Sequence, residues 1–220
     1  MSYVLQIKLL SDTTFGRGDG LAGLLDQEVE QDAAGFPSLR GRTLKGLLSE
    51  ACDGLVALGA VADQRRWNAA LRRLFGSGGS TTDSAAVWHI GNAELPVAVR
   101  WPVMARLGAA LRPSEVLEAL TTIRRQTAID PETGLPDPGS LRTMRVVLRG
   151  QVFFSRLEPA DQTVADDDLA LLAAGCVALR HVGAGRNRGR GRVACSLWHD
   201  QEDITDHYLQ RFNDLLGERP

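Results

Sequence analysis

Residues 180–192 read RHVGAGRNRGRGR: five arginines and four glycines in thirteen positions, with no acidic residue among them. The alanine- and leucine-rich stretch before it, 166–179, reads as a helix, and the stretch after it, 191–198, reads as a strand. A glycine loop running from helix into strand reverses the order of a dinucleotide fingerprint or a P-loop, which run strand, glycines, helix. The spacing differs too: Gly183, Gly185 and Gly189 give G-x-G-x-x-x-G, and no Gly-Lys-Ser/Thr follows. No nucleotide or organic cofactor is therefore expected. Glycine brings backbone N–H groups close to a ligand, and arginine offers a planar fork matched to phosphate oxygens. The ligand expected for Gly183, Gly185, Arg186, Arg188, Gly189 and Arg190 is a nucleic-acid backbone, the alternative being a solvated Arg/Gly loop.

Outward from this helix–loop–strand unit, residues 3–10 alternate apolar and polar and read as a first strand. A glycine-rich turn (15–23) and the acidic stretch LLDQEVEQD lead to Arg40-Gly41-Arg42, and from Thr43 apolar residues recur at helical spacing to about Gly59, with Thr43 as the candidate cap. A second helix spans 63–75, the segment GSGGSTT reads as a loop, and 86–95 as a strand. Prolines 96, 102 and 113 punctuate an insertion, about 96–143, with a short helix at 114–125 and the turn-rich TAIDPETGLPDPGS. Residues 144–157 form one long β-rich run. The core order is strand, helix, strand, strand, helix, strand. This predicts an α+β protein, a ferredoxin-like (RRM-like) βαββαβ core with a thumb-like insertion and a glycine-rich C-terminal loop. It is read as a single domain, 1–220, with core segments 1–95 and 144–200 and a C-terminal tail from 201.

Composition acts mainly by exclusion. At 220 residues and 44% hydrophobic the chain can bury one sizeable core. A formal net charge of −2 argues against a generic polyanion binder, so nucleic-acid affinity has to come from local patches. Cys52, Cys176 and Cys195 form no C-x-x-C pair, which points to small buried side chains in a reducing cytoplasm and to neither zinc nor disulfides. No apolar run approaches the ~18 residues of a membrane span and no basic-then-apolar leader opens the sequence, so a soluble cytoplasmic protein with no membrane partner is expected.

With its elements in order, the sequence resembles the RAMP superfamily of CRISPR-associated proteins, in particular the backbone subunit of type III effector complexes. The likeness rests on the aspartate in Leu25-Asp26-Gln27-Glu28-Val29 and on Gly35-Phe36-Pro37-Ser38-Leu39-Arg40-Gly41-Arg42-Thr43-Leu44-Lys45-Gly46, similar to the family's G-x-P-x-I-P-G-S-S-L-K-G. It rests also on Leu74-Phe75-Gly76, on Arg124-Arg125-Gln126-Thr127-Ala128-Ile129-Asp130 with Thr133-Gly134, similar to the family's I-D-R-x-T-G thumb, and on the glycine-rich loop. Arg40 and Arg42 depart from the usual Pro and Ser, and Pro131-Glu132 replaces an arginine-bearing turn.

Arg40, Arg42 and Lys45 stand at a predicted helix N-terminus, where basic side chains are unfavourable unless an anion compensates, so a phosphate is expected there. The resemblance implies that these residues and the arginine loop hold the sugar–phosphate backbone of a guide RNA, which reads no sequence. It implies that Asp26 cleaves bound target RNA with Mg²⁺, the metal's other ligands being unassigned. It implies also that residues 123–145, with Arg124, Arg125, Arg142, Arg145, Ile129, Leu135 and Met144, wedge into the guide–target duplex. The alternative for that hairpin is a subunit contact. His181 and His89 are further acid/base candidates. The expected partners are guide RNA, target RNA, other RAMP subunits and copies of the chain itself. Two alternatives stay open: a non-catalytic structural or cap subunit of the same complex, and a repeat-processing RAMP endoribonuclease.

Overall fold

The structure, a computed structural model, describes residues 2–20, 25–57, 64–76, 88–160 and 164–217. The GSGGSTT segment beyond Gly76, the end of the glycine-rich turn, the expected helix end near Gly59 and the first residues of the strand expected at 86–95 lie outside them.

Strand β1 (Tyr3–Leu9) buries Leu5, Ile7 and Leu9 and turns Lys8 to solvent, as its alternation predicts. It pairs antiparallel on one side with β5 (Val152–Pro159), Ile7 opposite Phe153, and on the other with β6 (Val193–His199), Leu5 opposite Leu197. Strand β2 (Trp88–Glu94) closes the far side of β5, so the order is β2-β5-β1-β6, extended by the two-residue β7 (Glu202–Asp203). With helices joining β1 to β2 and β5 to β6, this is the ferredoxin-like arrangement.

Helix α1 (Gly41–Ala57) lays Leu44, Leu47, Leu48, Cys52 and Val56 into the core at three- and four-residue spacing. Helix α5 (Asp166–Ala178) is buried on nearly every side because α1, α2 (Gln64–Phe75), β6 and α6 (Thr205–Gly217) all pack on it. Where α1 and α5 meet, a Cβ at Gly175 would overlap Cys52 Sγ, so only glycine permits this approach. The carboxylates opening α5 complement its dipole and also pair across to α2, Asp167 with Arg66 and Asp168 with Arg73. Burial pushes all three thiols up, Cys195 to about 12, which makes them poor nucleophiles.

Five local expectations change. The helix expected from Thr43 begins at Gly41, because Asn92 Oδ1 accepts the Gly41 N–H at 2.8 Å; Arg40, not Thr43, stands at its cap position, accepting the Leu44 N–H. The expected 114–125 helix is α4 (Pro113–Leu120) and stops at Thr121-Thr122-Ile123, three β-branched residues that open β3 (Thr121–Gln126). The run at 144–157 is two strands: β4 (Arg142–Val147) forms a separate two-stranded hairpin with β3, and a turn through Gly150, φ +89°, returns the chain to the main sheet as β5. The proline-punctuated stretch after β2 still forms a helix, α3 (Val97–Met104), with Pro96 at its cap. The segment read as a C-terminal tail contains α6, anchored by Phe212 against Trp67 with ring centroids 4.8 Å apart.

Candidate nucleic-acid interface

The arginine loop is seated on the segment that follows β1. Thr13 Oγ1 donates to the Val182 carbonyl at 3.0 Å, the Ala184 N–H to Thr14 O at 2.9 Å, and the Gly191 N–H to Asp12 O at 3.0 Å. The same segment bonds to β4 through the paired Thr13 and Val147 backbones, so loop and hairpin share one support. Gly183, Gly185, Gly189 and Gly191 all have φ between +69° and +77°, and a single 3₁₀ turn, Arg186–Arg188, lies between left-handed Gly185 and Gly189. A helix–loop–strand reading could find the glycines; the turn that presents the arginines is set by this backbone.

Gly191 is the position where the loop tolerates least. A Cβ there would overlap the Val182 carbonyl oxygen and crowd Thr13 Oγ1, on a backbone at φ +69°. Gly191→Val is expected to cost about 3 kcal/mol or more from left-handed strain and overpacking together. Gly189→Val, in open space, is expected to show the strain component alone. Urea midpoints of the two variants check this; equal midpoints would mean that the loop yields freely at Gly191.

The loop borders a cleft of about 1120 Å³ whose walls bring Arg186, Arg188, Arg190 and His181 together with Asp26 and Arg142. Arg188 is exposed and has no ion pair among the described residues; Arg186 makes only an exposed contact of 3.4 Å to Glu50, which is cheap to break. Arg190 turns inward onto Met144 Sδ. Burial holds its guanidinium below the ordinary value, with nearby Arg124 and Arg188 adding to the effect against Asp12. An anion in the cleft would relieve that repulsion.

Asp26 stands on the same cleft, 157 residues away in sequence from Gly183. Its backbone N–H donates to Thr143 O at 2.7 Å and the Thr143 N–H donates to Asp26 Oδ2 at 2.6 Å, so β4 holds it in place. Its acidic neighbours are otherwise engaged. Glu28 is buried against Arg145 at 2.9 Å, Glu30 pairs with Arg40 at 2.7 Å, and Asp32 pairs with Arg100 and receives the Ala34 and Phe36 N–H groups. Of the four carboxylates in this run only that of Asp26 lines the cleft, and its Oδ1 accepts no hydrogen bond among the described residues. No cluster of three or more His, Cys, Asp or Glu suited to a metal exists among the described residues. A Mg²⁺ here would rest on Asp26 Oδ1 and on RNA phosphate oxygens, a ligand set such ions accept.

The remaining expected residues divide. Arg40 joins Thr43, Gly183 and Arg186 around a smaller pocket of about 290 Å³ beside the loop, linking the start of α1 to the arginine site. Arg42 and Lys45 line neither space. Arg124 is paired with Asp12 at 2.8 Å, while Arg125 is exposed and has no ion pair among the described residues. Of the residues expected to wedge a duplex, Arg145 is tied to Glu28 and Met144 is buried beneath Arg190; Ile129 and Leu135 are exposed at the hairpin tip. His89 lines a different groove, on the sheet face opposite the helices. Gln126 reaches the cleft because it pairs with Arg142 in the β3–β4 register, a relation that only the hairpin pairing reveals.

Residues 6–194 match the family model of the RAMP superfamily. The chain belongs to the RAMP superfamily. No curated protein matches it. Among solved structures, this RAMP protein is similar to type III-B Cmr-beta in the apo state, at 12% identity and a TM-score of 0.63, covering 92% of this chain and 99% of that one. It is also similar to type III-B Cmr-beta bound to cognate target RNA, at 12% identity and a TM-score of 0.61, covering 95% and 99%. At such identity the likeness is one of fold.

Proposed function

We infer that this RAMP protein is an RNA-holding backbone subunit of a type III CRISPR effector complex and that it cleaves target RNA paired to the guide. The observation that supports this best is the convergence, on one cleft, of three loop arginines and an aspartate with a free carboxylate oxygen. Guanidinium groups presented on left-handed glycines suit phosphates and carry no base readout, as a guide of arbitrary sequence requires. The fold likeness to chains of Cmr-beta, one of them in a structure with target RNA, agrees with this reading.

For cleavage, Asp26 Oδ1 takes the proton from a ribose 2′-OH, and the freed oxygen attacks the adjacent phosphorus as the 5′-oxygen leaves. Arg188 and Arg142 stand on the same cleft to meet the charge that develops on the phosphoryl oxygens. A Mg²⁺ on Asp26 Oδ1 is the alternative to that proton transfer, since one oxygen cannot do both, and the ion would then neutralise the developing charge.

Photo-crosslinking of the full chain to single-stranded RNA tests the binding site. Crosslinks are expected in residues 183–190 and around Arg40. Crosslinks confined to the sheet face that carries His89 and Phe154 would refute the assignment.

A further inference from the structure

Besides its arginines, the cleft holds a second chemistry that phosphate alone does not call for. Three carboxamides line it, Gln27, Gln126 and Asn187, and each comes from a different element. Gln27 follows Asp26 on the segment beside β4, its backbone carbonyl accepting the Arg145 N–H at 3.0 Å. Gln126 ends β3, opposite Arg142 across the hairpin. Asn187 is the middle residue of the 3₁₀ turn, between Arg186 and Arg188. The backbone of each is therefore set by the fold, while none of the three side chains makes a hydrogen bond among the described residues.

Ionised phosphate oxygens only accept hydrogen bonds, and Arg142, Arg186, Arg188 and Arg190 offer this cleft N–H donors in surplus. A carboxamide adds what arginine lacks, a carbonyl oxygen that accepts beside an NH₂ group that donates. That pair suits a group able to donate and accept at once. On an RNA strand the ribose 2′-OH and the base edges are such groups. The neighbours of the carboxamides decide between them. Asn187 is flanked by two arginines and Gln126 faces a third, so both stand where phosphates are held, and Gln27 adjoins Asp26. A 2′-OH lies beside a phosphate on every nucleotide, whereas the base edge is on the far side of the sugar.

We propose that Gln27, Gln126 and Asn187 read the ribose 2′-OH, so that the cleft distinguishes RNA from DNA on binding, ahead of any cleavage and for every base sequence. The proposal rests on the reading of the cleft as an RNA-backbone site and adds the sugar to the phosphates as the chemistry recognised there. Three elements share the task, so the discrimination is spread along the strand. Side chains carried on backbone that is already fixed lose less freedom when they bind.

Fluorescence anisotropy of the full chain with short single strands tests it, using RNA, DNA and 2′-fluoro RNA of one mixed sequence and then of a second. Fluorine keeps the sugar in its RNA-like pucker and cannot donate a proton. The unmodified chain is expected to bind RNA at least about tenfold more tightly than DNA, a ratio of about 1.4 kcal/mol that one or two neutral hydrogen bonds supply. It should bind 2′-fluoro RNA more nearly as it binds DNA. Gln27→Met, Gln126→Met and Asn187→Leu together roughly keep side-chain size and should bring the ratio to about twofold or less, through a loss confined to RNA. Gln27 and Asn187 are exposed and Gln126 is half-buried, and no partner is left unpaired, so folding is preserved. An unchanged ratio in the triple variant would overturn the proposal. So would 2′-fluoro RNA bound as tightly as RNA, a comparison that needs no variant, since it would place the preference in the pucker. A loss in the triple variant that differs between the two sequences would make the carboxamides base readers and overturn it as well. An unmodified chain that binds RNA and DNA equally overturns the sugar reading and leaves the phosphate site standing; one that binds neither overturns the phosphate site and this proposal with it.

Discussion

Arg186, Arg188 and Arg190 replaced together by Ala are expected to lower affinity for single-stranded RNA by 100-fold or more, equally for every sequence. Three charge-assisted hydrogen bonds at about 1.5–3 kcal/mol each would exceed that loss if all were fully realised, and the exposed Arg186–Glu50 contact recovers little of it. The more diagnostic readout is salt dependence. Each phosphate contact on a single strand contributes roughly 0.7 to the slope of log K against log salt, so the triple variant should flatten it by about two. The single variants should not be equal. Arg188 is exposed and has no ion pair among the described residues, whereas Arg190 lies on Met144 and also packs the loop against β4. Arg190→Ala should therefore lower the urea midpoint as well as RNA affinity, and Arg188→Ala only the affinity. An unchanged slope with unchanged affinity would make the loop a solvated surface element.

The core was legible because its signals are local. The alternation Leu5, Ile7, Leu9 and the helical recurrence from Leu44 to Val56 need no knowledge of partners, and the helix–glycine–strand order at 166–198 decided the topology. The misread elements are those in which tertiary contact overrides local pattern. The 144–157 run is continuous in sequence, yet its first half pairs with Thr121–Gln126 and its second with β1, and only Gly150 marks the division. At the site, residue types were readable but availability was not. Arg124 and Asp12, separated by 112 positions, neutralise each other; Arg145 and Glu28, 117 apart, form a buried pair. The basic residues at the start of α1 looked equivalent in sequence, and only Arg40, at the cap, reaches the pocket beside the loop. The acidic run from Asp26 to Asp32 likewise looked uniform, and three of its four carboxylates turn out to be held by arginines from elsewhere in the chain.

That distinction makes Asp26 the residue on which the proposed cleavage depends. Asp26→Asn keeps an oxygen to accept the Thr143 N–H, so the local backbone should stay in place while the proton-accepting oxygen is lost. Loss of a general base is expected to reduce target cleavage about 10²- to 10⁴-fold. Asp26→Ala removes the Thr143 bond too, but the carboxylate is exposed and no buried partner is left unpaired, so the urea midpoint should shift little. RNA affinity should hold or rise in both variants, since each removes a negative charge from a cleft lined by arginines. EDTA should stop cleavage by the unmodified protein if Asp26 and the phosphates share a Mg²⁺. The measurement is single-turnover cleavage of a target paired to its guide, with affinity measured on the same RNA. Cleavage by Asp26→Asn at the unmodified rate would remove Asp26 from the chemistry and leave His181, on the same cleft, as the group to substitute next. No cleavage by the unmodified protein, with RNA binding intact, would instead make the chain a non-cleaving subunit in which Asp26 contributes only its two bonds to Thr143.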